Sequence, residues 1–133
     1  MGNIVKVAVL PIKNKKILLC RKKGIDFLIE LGGKLESSET DEECAIRETL
    51  EEARCSVRNL EYFTTLIGPR GDEPDSRIEL RCYFGTLEGE PKVNRKDKIY
   101  DFVYADRNWK QEGHLLPPML QELMGLLVGK NYF

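Results

Sequence analysis

Three glutamates at helical spacing are the residues of this chain whose type and arrangement most clearly suggest chemistry. Glu48, Glu51 and Glu52 stand at positions i, i+3 and i+4, so a helix would carry all of them on one face. No lysine or arginine separates the first from the last. Like charges this close are unfavourable unless a cation lies among them, and Mg²⁺ prefers oxygen ligands. The spacing therefore predicts a divalent metal site.

The segment around these glutamates has the pattern of an amphipathic helix. Residues 40–43 have the S/T-x-x-E form of a capping box, which predicts that the helix begins at Thr40. Residues at helical spacing that predict its buried side are Ala45, Ile46, Thr49, Leu50 and Ala53. The glutamates lie away from the centre of this stripe, so we expect them to be available to solvent or to a ligand.

Composition and net charge limit the number of domains and the classes of partner that this chain can have. The 133 residues, 41% hydrophobic and 32% charged, predict a single domain over residues 1–133. A net charge of −1 gives no general attraction to nucleic acid or to anionic membranes, so a polyanionic ligand would have to be held by local charges. The apolar runs are too short to span a bilayer and the N-terminus lacks a signal-peptide pattern, which predicts a cytoplasmic protein.

Cysteine usage favours the same compartment. The four cysteines are dispersed without a C-x-x-C pair, and the chain contains one histidine, which argues against a zinc site. Each cysteine falls within an apolar pattern, so we expect small buried thiols in a reducing environment: Cys20, Cys44, Cys55 and Cys82.

The rest of the chain alternates predicted strands with turns. Residues 4–12 and 16–21 suggest a hairpin around residues 13–15. Further apolar or alternating segments predict strands at Phe27–Leu31, Ser56–Ile67, Ile78–Leu87 and Ile99–Ala105, with a loop at residues 68–76. Leu115–Val128 has helical periodicity with two prolines in its first turn. These elements predict a layered α/β or α+β domain with a mixed sheet.

The segment from Gly32 to Cys55 resembles the Nudix box, the signature of the Nudix hydrolase superfamily, written G-x5-E-x7-R-E-U-x-E-E-x-G-U with U a bulky apolar residue. The fixed positions fall on Gly33, Glu39, Arg47, Glu48, Glu51 and Glu52. Thr49 and Cys55 replace bulky aliphatic residues, and Arg54 stands where the last glycine is expected. Because arginine disfavours φ > 0, we expect this helix end to be closed differently, one residue later.

The resemblance implies a Nudix-type α/β/α sandwich and a metal-dependent reaction. Glu51 and Glu52 would be the principal ligands of Mg²⁺ or Mn²⁺, and Glu48 a ligand or the general base. The carbonyl of Gly32 would join the metal shell, and one further carboxylate would come from Asp97, with Asp101 as the alternative.

Other matched positions imply supporting roles. Glu39 and Arg47, with Gly33, would brace the loop against the helix. Lys34 follows at a place where the family commonly has a basic residue near the phosphates. Independently of the resemblance, Arg21, Lys22 and Lys23 form a basic cluster close in sequence to this site, from which Arg21 and Lys23 are the predicted substrate contacts.

The resemblance also limits the substrate, because Nudix enzymes cleave phosphoanhydride bonds in nucleoside diphosphates linked to a further group. The C-terminal segment is similar to that of MutT-like nucleoside triphosphate pyrophosphohydrolases, which implies that Trp109 stacks on the base and Glu112 reads it. Trp109, the one tryptophan, is equally compatible with a core or lid position. Phe27 would add a substrate contact. Ile29 and Leu120 stand where those enzymes use asparagines on an oxidised base, which weakens a prediction of 8-oxo-guanine.

Alternative functions stay open at this point. ADP-ribose or another nucleoside diphosphate sugar is the main rival substrate, with Pro69 near the position of a proline in ADP-ribose hydrolases. A non-catalytic nucleotide sensor is the rival of a different class, although such domains typically lose box carboxylates. A small nucleotide is the expected partner, without membrane or nucleic acid, and a homodimer is compatible because many Nudix proteins dimerise.

Overall fold

A computed structural model describes residues 3–70, 73–93, 96 and 98–133. In this part of the chain the strands are β1 (Ile4–Leu10), β2 (Ile12–Lys13), β3 (Lys16–Lys22), β4 (Leu28–Lys34), β5 (Ser56–Arg70), β6 (Glu73–Glu88) and β7 (Ile99–Ala105). The helices are α1 (Asp41–Ala53) and α2 (Pro118–Gly129). None of the helices in the described ranges is long and apolar enough to cross a membrane.

The strands form one curled mixed sheet in the order β2-β3-β4-β1-β6-β5, with β7 paired to β3. β1 and β6 run parallel, whereas the other described pairings are antiparallel. β1 is central, and its residues Val7–Leu10 are fully buried because both faces of the sheet are covered. The predicted α+β fold with a mixed sheet is confirmed.

Each face of the sheet has its own hydrophobic core. On one face, α2 packs through Leu120, Leu123 and Leu127 against strand residues that include Leu10 and Leu80. The core of the other face, beneath α1, comprises Val7, Val9, Leu18, Cys20, Leu31, Cys44, Ala45, Ala53, Val57 and Ile99. The two helices therefore lie on opposite sides of the sheet, as in an α/β/α sandwich.

Helix α1 is fixed at its N-terminus by a capping box, as predicted. The backbone N–H of Glu43 donates to Thr40 Oγ1 at 3.1 Å, and the N–H of Thr40 donates to Glu43 Oε1 at 2.9 Å. Asp41 then joins the helix to β6, because its carboxylate accepts from Arg81 at 2.8 Å and from Tyr83 at 2.6 Å. These contacts orient the helix that carries the three glutamates.

The predicted buried side of α1 was partly wrong. Ile46 and Leu50 are 46% and 56% exposed, whereas Glu52 is only 4% exposed. The buried residues of the helix are Cys44, Ala45, Thr49, Glu52 and Ala53. The small side chains on this side allow the helix backbone to lie close to the sheet. The helix is rotated about its axis relative to the predicted orientation, so its glutamate face turns toward the sheet. The expectation that the glutamates lie away from the buried side is therefore wrong for Glu52.

The C-terminus of α1 also differs from expectation. Arg54 adopts the left-handed conformation itself, with φ of 56° and ψ of 33°, and its N–H donates to the carbonyl of Leu50. The prediction that the helix ends one residue later was wrong. The left-handed position falls on Arg54 itself, where glycine is usual, despite the steric cost of a side chain there.

The hairpins of the structure differ from those that the sequence predicts. The first hairpin joins β2 to β3 through Asn14 and Lys15, both with positive φ, whereas β1 pairs with β4 and β6. The β5–β6 hairpin extends well into the predicted 68–76 loop, and its residues Gly71 and Asp72 lie outside the described ranges. Helix α2 begins at Pro118 rather than Leu115, because a residue before proline avoids helical backbone angles.

Replacing Arg54 with glycine should stabilise the protein by about 0.5–1 kcal/mol, because relief of the left-handed strain exceeds the added chain entropy of glycine. Urea unfolding measures the change. Arg58→Gly, at an exposed position in β5, is the control and should destabilise by a similar amount. A destabilised Arg54→Gly variant would contradict the account of this helix end.

Candidate active site

The site forms where the glutamates of α1 meet the two glycines of β4. The N–H of Gly32 donates to Glu52 Oε1 at 2.9 Å, and Lys22 Nζ of β3 lies 2.9 Å from Glu52 Oε2. Burial alone would lower the pKa of Lys22, but the charge and hydrogen bond of Glu52 raise it above its ordinary value. A buried carboxylate is thus held between a backbone donor and an ammonium group.

The two glycines are required for different reasons. A Cβ on Gly32 would lie 2.0 Å from the carbonyl oxygen of Val7, and its φ of 132° disfavours other residues. A Cβ on Gly33 would lie 1.8 Å from Glu48 Oε2. The first glycine therefore permits the pairing of β1 with β4, and the second leaves space for a site carboxylate.

The glutamates differ in exposure and electrostatics. The side chain of Glu52 is 5% exposed, that of Glu48 is 14% exposed and that of Glu51 is 48% exposed. Burial and the charges of Glu52 and Glu51 together raise the pKa of Glu48 to about 7, while Arg47 opposes the shift. The surroundings of Glu48 therefore favour its protonated form more than water does.

This donor set fits a hard divalent cation in its chemistry. Three carboxylates on one face of the helix, beside a backbone carbonyl at Gly32, are the oxygen ligands that Mg²⁺ and Mn²⁺ take. Among the described residues, however, no group of three or more histidine, cysteine, aspartate or glutamate side chains is already arranged as a metal cage. Glu52 instead faces Lys22, so metal binding would require these side chains to reorient.

Arg47 braces the loop that leads from β4 into α1. Its Nε and NH2 atoms donate to the two carboxylate oxygens of Glu39 at 2.7 and 3.0 Å, and NH2 also donates to the carbonyl of Lys34 at 3.1 Å. The hydrogen bonds from Arg47 lower the pKa of Glu39 to about 2. The remaining NH1 atom lies 3.4 Å from both Glu48 Oε1 and Glu51 Oε2, which reduces the repulsion between those carboxylates.

A cavity of about 740 Å³ opens from the glutamates between the sheet and the start of α2. Its charged lining residues are Lys6, Lys22, Glu30, Lys34, Glu48, Glu51 and Glu52. Its apolar lining residues include Ile29, Leu31, Pro69, Ile78, Leu80, Pro117, Pro118, Met119 and Leu120. Cavities of roughly 300–1,000 Å³ accommodate small-molecule ligands, so the space is sufficient for a nucleotide.

The start of α2 is held over this cavity by the strand beneath it. The N–H of Leu28 in β4 donates to the carbonyl of Leu115 at 2.9 Å, and Gln121 Nε2 donates to the carbonyl of Leu116 at 2.8 Å. These bonds hold the chain at the start of α2 against β4. The cavity is therefore lined by residues of both the sheet and α2, charged and apolar.

The structure brings some of the predicted site residues together and separates others. The predicted residues that line the cavity are Gly32, Gly33, Lys34, Glu48, Glu51 and Glu52. The predicted residues that do not line it are Arg21, Lys23, Phe27, Trp109 and Glu112. Trp109 packs against the core beneath α2, and Glu112 lies 3.9 Å from His114. Phe27 is 44% exposed on the protein surface.

The predicted fifth carboxylate stays a prediction. Asp97 lies outside the described residues. Asp101, the alternative, lies in β7 with its carboxylate 3.7 Å from Arg21 Nε, and it is not among the residues that line the cavity.

Of the basic cluster at residues 21–23, Lys22 lines the cavity, whereas Arg21 and Lys23 do not. Lys22 follows the buried Leu18 and Cys20 on the face beneath α1. Two further charged residues of the cavity were missed in the sequence. Lys6 and Glu30 stand on two strands, and only the pairing of β1 with β4 brings them to one cavity.

Comparison with known proteins identifies the fold and the family. The model of the NUDIX domain matches residues 2–119. The chain belongs to the Nudix family. It is a Nudix hydrolase, an enzyme that cleaves pyrophosphate bonds, and Nudix hydrolases generally use divalent cations. A comparison with curated proteins gives no match.

Solved structures with the same fold share little sequence with this Nudix chain. The solution structure of the E. coli ORF135 protein superposes with a TM-score of 0.78 at 21% identity, covering 97% of this chain and 91% of that one. A MutT Nudix hydrolase from Burkholderia pseudomallei has a TM-score of 0.72 at 18% identity, with 89% and 90% covered. A UDP-X diphosphatase has a TM-score of 0.78 at 17% identity, with 100% and 66% covered.

Alanine at each box glycine should affect this Nudix protein differently. Gly32→Ala should lower the free energy of unfolding by at least about 2 kcal/mol, because it forces a backbone clash at positive φ. Gly33→Ala should cost less than about 1 kcal/mol, since the far end of Glu48 can move, yet should reduce hydrolysis about 10–100-fold. Urea unfolding and steady-state turnover measure the two effects. If the two variants lost the same stability and had the same activity, the two glycines would not have different roles.

The raised pKa of Glu48 predicts how stability depends on pH in EDTA. Its ordinary pKa is 4.5 and its folded pKa is about 7, so the folded state binds more protons between these values. Stability should therefore fall as pH rises from about 4.5 through 7, by about 1–3 kcal/mol. Glu48→Gln should remove this decrease, as measured by urea unfolding at several pH values. An unchanged pH slope in the variant would show that another group is responsible.

Proposed function

We propose that this Nudix hydrolase is a Mg²⁺- or Mn²⁺-dependent pyrophosphohydrolase of MutT type, which converts a nucleoside triphosphate into the monophosphate and pyrophosphate. The observation that supports the proposal is that Glu48, Glu51 and Glu52 line one nucleotide-sized cavity together with apolar side chains. The carboxylates suit a metal-bound polyphosphate, and the apolar side chains suit a base.

The metal-binding roles are those that the Nudix box implies for these residues. Glu51 and Glu52 are the principal ligands, and the carbonyl of Gly32 is a further ligand beside Glu52. When bound, the cation neutralises phosphate charge and acidifies a water molecule. Glu48 serves as a ligand or as the general base, since its carboxylate lines the cavity beside Glu51 and Glu52.

Lysine side chains at the same end of the cavity support phosphate binding. Lys22 already lies 2.9 Å from Glu52, so its ammonium group can bind phosphate oxygens when Glu52 turns to a metal. Lys34 lines the cavity beside the glycines and replaces Arg21 and Lys23 as the nearer basic residue. These cations counter the charge of the polyphosphate tail in a protein whose net charge is −1.

The base binds against the cavity walls beside α2, because Trp109 and Glu112 do not line the cavity. Leu80 and Met119 line the cavity and belong to the packing beneath α2, where they provide apolar contact for a planar ring. The MutT protein from Burkholderia pseudomallei shares this fold, which supports a nucleoside triphosphate as the substrate class.

A nucleoside diphosphate sugar is the second candidate substrate. Pro69 lines the cavity, and a UDP-X diphosphatase is among the proteins with the same fold. The non-catalytic sensor is not favoured, because Glu48, Glu51 and Glu52 are all present and all line the cavity. The four buried free thiols are consistent with a reducing compartment such as the cytoplasm.

Replacing Glu51 and Glu52 together with glutamine should lower hydrolysis at least about 10³-fold, because the amides cannot bind the cation with the charge it requires. Release of phosphate or pyrophosphate is measured with Mg²⁺ across nucleoside triphosphates, ADP-ribose and UDP-sugars, and circular dichroism checks the fold. Glu42→Gln, at an exposed position of the same helix, is the control and should stay active. Turnover retained by the double variant would exclude these ligands, and turnover of UDP-sugars alone would select the second candidate.

A further inference from the structure

One side of α1 carries apolar side chains that the fold leaves uncovered. Ile46 and Leu50 are 46% and 56% exposed, and among the described residues neither belongs to the hydrophobic cores on the two faces of the sheet. Each lies two residues from Glu48, which is roughly half a turn around the helix. This side of α1 therefore faces away from the glutamate site, and neither packing within the chain nor the cavity explains it.

The apolar pair stands in the middle of a row of four side chains at i, i+4 spacing. From the N-terminal end of α1 the row is Glu42, Ile46, Leu50 and Arg54. Rows of this spacing form the ridges through which helices pack on one another. Both end residues are exposed, and within the part of the chain that the structure describes neither forms an ion pair within 4 Å. About 18 Å of helix separates the two charges, so they do not pair with each other in one chain.

The row is complementary to an antiparallel copy of itself. In a dimer with twofold symmetry, a contact of residue i with residue j is always accompanied by the contact of j with i. A twofold axis that passes between Ile46 and Leu50, perpendicular to the helix, sets the two rows side by side in opposite directions. Ile46 then contacts Leu50 of the partner subunit, and Glu42 meets Arg54 of the partner subunit at each end. A parallel arrangement would set like charges against each other instead.

We propose that the row from Glu42 to Arg54 is the interface of a homodimer, in which the α1 helices of two copies pack antiparallel. Two apolar contacts at the centre are flanked by two ion pairs, so shape and charge both select a second copy of this chain as the partner. The contact is small, and we expect a dissociation constant of roughly 10–100 µM. The inference concerns a surface outside the cavity, so it does not depend on the proposed hydrolysis.

Charge reversal on this row tests the pairing. Sedimentation velocity of the full chain from about 5 to 500 µM measures the dissociation constant of the dimer. The wild type should shift from monomer to dimer over this range, and less so at high salt, because exposed ion pairs are screened. Glu42→Arg should raise the dissociation constant at least about 10-fold, since symmetry places the like charges together twice in each dimer. Arg54→Glu should have the same effect.

Combining the two reversals distinguishes pairing from damage to the helix. The double variant Glu42→Arg/Arg54→Glu restores opposite charges across the interface, so its dissociation constant should return to within about threefold of the wild-type value. Both reversals oppose the helix macrodipole, so a better-folded helix would not account for this recovery. Glu122→Arg, at an exposed position on α2, is the matched control and should leave the constant unchanged. Circular dichroism verifies that each variant folds.

Glycine at position 54 separates association from stability. Arg54→Gly removes one partner of each ion pair and also relieves the left-handed strain at φ of 56°. It should therefore stabilise the monomer, measured by urea unfolding at a few micromolar, and yet raise the dissociation constant of the dimer. A purely structural role of Arg54 would not move these two quantities in opposite directions.

Three results would overturn the assignment. The first is a wild type that stays monomeric at 500 µM. The second is a double variant that associates no better than the single variants, because the charges would then not meet across the interface. The third is a dimer that no substitution on the row weakens, since its interface would lie elsewhere on the molecule.

Discussion

The close approach of α1 to the glycines of β4 is the constraint on which the site depends. Gly32 donates its N–H to Glu52, and Gly33 leaves the space that Glu48 occupies. Because a helix can approach a strand this closely only where no side chain intervenes, the helix turns its glutamate face toward the sheet. This orientation explains why Glu52 is buried while Ile46 and Leu50 remain exposed.

Turning the glutamate face of α1 toward the sheet places like charges close together away from water. Neighbouring basic residues reduce the resulting repulsion. Lys22 pairs with Glu52, and Arg47 lies close to both Glu48 and Glu51 while its main hydrogen bonds hold Glu39. The raised pKa of Glu48 indicates that burial and the neighbouring carboxylates outweigh this compensation. A divalent cation among the three carboxylates would reduce the repulsion between them.

The cavity wall that α2 forms depends on a different set of contacts. The bond between Leu28 and Leu115 holds the start of α2 against β4, so apolar residues of the helix face the sheet across the cavity. The lining of the cavity thus comes from several layers of the sandwich: α1 provides the three glutamates, and the strands with α2 provide the apolar side chains.

The sequence by itself determined the features that depend on local spacing. The 3.6-residue period placed the three glutamates together, the capping box located the start of α1, and alternation located Ile99–Ala105 as a strand. The box also identified Glu39 and Arg47, whose contact the structure contains. These features depend on residues within a few turns of one another, so the pattern of the chain is sufficient to find them.

Only the tertiary structure decided which side chains share the cavity. Trp109 and Phe27 have the chemistry of base-binding residues, but one packs against the core and the other lies on the surface. Lys6 and Glu30 carry no local signal, because they become neighbours of the site through the register of β1 with β4. Strand pairing and the rotation of a helix on a sheet are set by contacts between distant segments, and no spacing within one segment encodes them.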